Sequence, residues 1–63
     1  MTKEQAAKIA ARKSNTEGPQ YVVWVFDQGR DIFDREQMRR YAPLVQVEAV
    51  YIGGVDIPQE VVA

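Results

Sequence analysis

Residues Tyr21, Val22, Val23, Trp24, Val25 and Phe26 form an unbroken apolar run. A strand sends alternate side chains to opposite faces. The run then puts Tyr21, Val23 and Val25 on one face and Val22, Trp24 and Phe26 on the other. Both faces need cover, and a domain this small usually covers only one face of a sheet with its own helices.

The segments around this run have clear periods. Thr2 with Gln5 three positions on is a capping box, and residues 3 to 13 are strong helix formers without Gly or Pro. Glu4 and Lys8 stand at the favourable i, i+4 spacing. The buried stripe of this helix is expected to be Ala6, Ile9 and Ala10. Residues 14 to 19 end in Gly18 and Pro19 and read as a loop. Asp27, Gln28, Gly29 and Arg30 read as a hairpin turn, with Gly29 supplying positive φ. Asp31, Ile32 and Phe33 make a short return strand.

Asp34 caps a second helix, with Gln37 at the matching box position. Met38, Tyr41 and Ala42 share one face of it, and Pro43 stops it. From Val45 to Ile52, Val45, Val47, Ala49 and Tyr51 alternate with Gln46, Glu48, Val50 and Ile52. This predicts a half-buried strand with one apolar face. Gly53 and Gly54 end it. Residues 53–63 contain Pro58 and show no clean period, so they are expected to be a flexible tail, or to pack through Ile57, Val61 and Val62.

The pattern defines one small α+β domain over residues 1–63. It comprises an N-terminal helix and loop (1–20), a hairpin–helix–strand core (21–52) and the tail. The element order is α-β-β-α-β. A right-handed crossover over the first strand gives a three-stranded sheet of order 2-1-3. The first strand is then central, in agreement with its apolar character. Both helices are expected on one face of the sheet, leaving the other open.

Composition narrows the chemistry. The chain has 63 residues, no Cys and no His. Disulfides and thiolate metal sites are therefore excluded, along with the commonest metal ligand and general base. Oligomerisation is the remaining way to support a domain this small. The net charge of −1 lowers the expectation of nucleic-acid binding. No stretch is long enough for a membrane-spanning helix and no signal-peptide core is present, so a cytoplasmic protein is expected.

Candidate chemistry is sparse. Asp27, Asp31 and Asp34 surround the hairpin, but Ile32 and Met38 stand where an EF-hand opening at Asp27 would need Gly and Glu. Turn and cap chemistry accounts for these acids, and no metal or cofactor site is assigned. Ser14, the only Ser, has no His to activate it. Gly53 and Gly54 open no helix, so no phosphate loop is present. The chain is not expected to be an enzyme.

Two binding readings follow. The first is a non-catalytic interaction module that self-associates as a homodimer or docks on a protein partner. Its contact residues would be Tyr21, Val22, Val23, Trp24, Val25 and Phe26, with Trp24 as anchor. The alternative is nucleic-acid binding through Arg35, Arg39 and Arg40 of the second helix and Lys8 and Arg12 of the first, if the helices are neighbours. Glu36 and Arg40 are spaced to pair locally. In size and composition the chain resembles the short accessory proteins of bacteria and their phages, a likeness that names no motif.

Overall fold

The computed structural model describes residues 1–58. Helix α1 (Lys3–Ser14) is followed by β1 (Gln20–Val25), β2 (Gly29–Asp34), α2 (Arg35–Tyr41), a 3-10 turn (Ala42–Leu44), β3 (Val45–Ile52) and β4 (Val55–Ile57). The sheet has order β2-β1-β3-β4, and every neighbouring pair is antiparallel. The expected 2-1-3 order is present. It gains a fourth strand at residues 55–57, where the sequence shows no period. That strand is three residues long, all of them exposed, and too short to carry an alternation signal. Positions 61 and 62 of the expected tail contact lie outside the described residues.

Both helix starts form as their spacing predicts. Thr2 Oγ1 accepts the Gln5 N–H at 3.1 Å, and Gln5 Oε1 accepts the Thr2 N–H at 2.9 Å. Asp34 Oδ1 accepts the Gln37 N–H at 2.8 Å, and Gln37 Oε1 accepts the Asp34 N–H at 2.9 Å. Each box satisfies donors that a helix N-terminus leaves open. Pro43 lies in the 3-10 turn that ends the second helical segment.

The two helices lie on opposite faces of the sheet, not on one face as expected. Ala6 and Ala10 of α1 pack with Val22, Ile32, Ala49 and Tyr51. Phe33 pairs across the ladder with Tyr21, which puts both on the other face. Phe33 meets the Tyr41 ring at a centroid distance of 5.7 Å, so α2 covers that second face. The reason for the difference is topological. Crossover handedness constrains the helix joining β2 to β3, whereas α1 precedes β1 and is free to take either side.

The α1 stripe also differs. Ala6, Ala10 and Ser14 are buried, while Ile9 points partly to solvent. Small side chains let the helix lie close against the sheet. Ser14 closes the helix instead of opening the loop, and its Oγ accepts the Gly54 N–H at 2.7 Å. At the hairpin, the Gln28 N–H donates to the Val25 carbonyl at 3.1 Å. This moves Phe26 out of the strand and puts Asp27, with φ of 71°, in the left-handed position.

A β-bulge in β3 sets which side chains face which helix. Val25 pairs with Val45, Trp24 with Gln46 and Val23 with Val47. The register then shifts, so Val22 pairs with Ala49 and Tyr21 with Val50, leaving Glu48 as the extra residue. A bulge of one residue reverses the alternation beyond it. Ala49 and Tyr51 therefore face α1, and Val45, Val47, Val50 and Ile52 share the α2 face. This replaces the grouping expected from strict alternation.

Candidate functional site

Among the described residues, the α2 face of the sheet is only half covered. Helix α2 is seven residues long, has no buried residue, and packs chiefly on β2 and β1. Beyond it the face continues over β3 and β4. Ladder pairing of Ile57 with Val50 and of Val55 with Ile52 places these β4 residues on the same face. The uncovered surface is thus Val45, Val47, Val50, Ile52, Val55 and Ile57, all aliphatic. Ile52 and Val55 are 47% and 60% exposed, while Val45, Val47 and Val50 are half-buried.

A mainly apolar groove of about 520 Å³ joins this surface at Val45. Its walls are Val25, Phe26, Phe33, Tyr41 and Leu44, with Gln28 and Asp31 on the hairpin side. Phe26 and Leu44 are each 64% exposed. Isolated exposed apolar side chains are ordinary on any protein; a contiguous apolar set is the less ordinary feature.

The expected interface residues are divided by the fold. Val22 and Val23 are buried in the core and present no surface to a partner. Tyr21 and Val25 are half-buried on the α2 face, and Phe26 lies at the hairpin tip. Trp24, the expected anchor, is on the α1 side, away from the bare surface. The Arg30 guanidinium carbon lies 5.6 Å from its ring centroid. Arg30 also donates from Nε to Glu48 Oε1 at 2.6 Å and from Nη2 to Oε2 at 3.2 Å. A third bond runs from its Nη1 to the Met1 carbonyl at 3.2 Å. This clamp ties β2, β3 and the start of α1 together. The hydrogen bond from Arg30 holds the Glu48 carboxyl below the usual carboxylate range, against a smaller opposing effect of desolvation.

The bare β3–β4 surface itself was not among the expected site residues. Its only sequence signal is the set Val45, Val47, Val50, Ile52, Val55 and Ile57, which becomes one face only through the bulge and the Gly53–Gly54 turn.

The basic residues do not merge. Lys8 and Arg12 belong to α1, and Arg35, Arg39 and Arg40 to α2, on opposite faces of the sheet. Among the described residues the single ion pair is Arg30 with Glu48, so the expected Glu36–Arg40 pair is not formed. Asp31, one of the three hairpin acids, accepts the Ile32 N–H on its Oδ1 at 2.7 Å, and Asp34 is the α2 cap. The described residues contain no group of three or more His, Cys, Asp or Glu arranged to hold a metal ion. No helix among them is long and apolar enough to cross a membrane.

Comparison with protein-family models, with curated protein sequences and with solved structures finds no match. The reading of this surface therefore rests on its own geometry.

Proposed function

We propose that this chain is a small, non-catalytic protein-interaction module that docks through the bare half of its sheet. The observation that carries this reading is the aliphatic surface of Val45, Val47, Val50, Ile52, Val55 and Ile57, which α2 leaves uncovered. Removing such a surface from water is favourable at about 25 cal/mol per Å². The adjoining groove offers a place for a large anchor side chain, and Phe26 and Leu44 at its rim can close over one. The exposed Arg35, Arg39 and Arg40 lie on the neighbouring helix, in keeping with a polar rim around an apolar centre.

The test is the size of the assembly formed in an extract of the cells that make the protein. The chain should elute well above its 7.2 kDa mass. Ile52→Glu should return it to the monomer position, and Lys8→Glu on α1 should leave the assembly intact. Elution of the unaltered chain as a monomer, or an assembly indifferent to Ile52→Glu, would sink the reading.

A further inference from the structure

We infer that the occupant of the bare β3–β4 surface is a second copy of this chain, packed sheet against sheet about a two-fold axis. The inference rests on the docking reading above and names its partner.

The first argument is the charge pattern. In a two-fold contact each residue meets the same patch on its partner, so a charged patch meets its own sign. The six aliphatic positions of β3 and β4 carry no charge, and the one acid lining the adjoining groove is Asp31, at the β2 side away from β4. Both acids of β3 and β4 point the other way: Glu48 is held by Arg30 on the α1 side, and Asp56 pairs across the ladder with Tyr51, which packs under α1. Gln46 pairs with Trp24 and takes the same side. The bulge at Glu48 produces this sorting. Without it, strict alternation would put Glu48 on the same face as Val50 and Ile52.

The second argument is shape. The surface is two adjacent strands, β3 and β4, with β1 beside β3 in the same sheet and α2 flanking that side. An amphipathic helix needs a groove along its length, and an added strand needs a long open edge. The groove here is confined to one end, and β4 offers an edge of only three residues before Pro58. A pleated aliphatic surface instead fits another of its kind, at the spacing of about 10 Å usual for packed sheets.

The third argument is area and need. Ile52, Val55, Ile57, Phe26 and Leu44, at 47%, 60%, 37%, 64% and 64% exposed, present on the order of 500 Å², and with the half-buried valines they make up a large part of the roughly 800 Å² per partner of a standard interface. Among the described residues the buried apolar side chains are Ala6, Ala10, Val22, Val23 and Phe33. Such a core leaves the isolated fold weakly held. A second copy is present wherever the chain is made, and it would cover the remaining apolar surface in fixed proportion.

The experiment is sedimentation equilibrium of the purified chain from micromolar to millimolar concentration. The expected result is twice the 7.2 kDa chain mass, with a urea midpoint that rises with protein concentration. Ile52→Glu and Val55→Lys should each raise the dimer dissociation constant by roughly 30-fold or more, the size of a strong interface truncation. Ile52 is 47% exposed and Val55 60%, so the far-ultraviolet circular dichroism of each variant should match the parent. If either variant unfolds, the concentration dependence of the unaltered chain's midpoint decides the question alone. A monomer throughout, or a dimer indifferent to both substitutions, overturns the inference. A purified monomer that still enters an Ile52-dependent assembly in extract overturns the second copy and leaves the docking reading standing. A monomer in both settings removes both.

Discussion

Ser14 and Gly54, forty positions apart, meet where the end of α1 touches the β3–β4 turn. The Gly54 N–H donates to Ser14 Oγ at 2.7 Å, and the same hydroxyl donates to the Ala11 carbonyl at 2.8 Å. Gly54 has φ of 82°, and a Cβ there would stand 2.8 Å from the Asn15 side-chain oxygen. One hydroxyl thus joins the first element of the fold to the last one described. Ser14→Ala removes the acceptor and should lower stability by about 1–3 kcal/mol. Gly54→Ala should cost about 1–2 kcal/mol through its left-handed backbone. Urea unfolding gives the totals. Faster hydrogen exchange at the Gly54 amide in the Ser14 variant would locate the loss; unchanged exchange would show that the contact contributes nothing in solution.

Helix α2 depends on its cap more than most helices do. It has seven residues and buries none of them, so packing contributes little to its stability. Asp34→Ala removes the acceptor for Gln37 and should cost about 0.5–2 kcal/mol. Asp34→Asn, which keeps an acceptor, should recover most of that. An unchanged melting temperature in the Ala variant would show that α2 is held by Phe33 and Tyr41 alone.

The Arg30–Glu48 clamp should give stability a particular acid dependence. Glu48 has a folded pKa below its unfolded value, through its hydrogen bond from Arg30. Its contribution is therefore fully present above the unfolded carboxylate range of about 4.3. It is lost as pH falls through the lower folded value. The melting temperature of Glu48→Gln should lie below that of the parent at neutral pH, and the two should converge at strongly acidic pH. A gap that stays constant across the acid range would mean that the pair adds no charge-dependent stability.

Trp24 should behave as a residue of the fold. Its indole lies on the α1 side beneath Arg30, off the bare surface. Trp24→Ala should lower stability by about 1–2 kcal/mol through lost burial and the lost cation–π contact. Assembly should weaken no more than that loss of folded protein explains. Ile52→Glu should do the opposite, weakening association with little change in monomer stability. Comparing the two variants in thermal melts and in sedimentation separates these roles.

Local chemistry was legible from residue spacing alone. Thr2 with Gln5 and Asp34 with Gln37 mark both helix starts, because a capping box needs only four consecutive residues. The central place of β1 follows from its apolar character on both faces, and the 2-1-3 strand order from the crossover rule. The lack of Cys and His likewise belongs to the sequence.

The placement of surfaces was decided in three dimensions. Which side α1 takes depends on where Ala6, Ala10 and Ser14 find close contact, and no local rule fixes that. The bulge at Glu48 arises from pairing with β1 across more than twenty positions, and it turns Val50 and Ile52 onto the face of Val45 and Val47. Strand β4 is brought back beside β3 by the Gly53–Gly54 turn, whose Gly54 N–H is bonded to Ser14 at the end of α1. Periodicity reports how a segment faces its immediate neighbours. The bare aliphatic surface is made by long-range pairing, and so it is visible only in the folded chain.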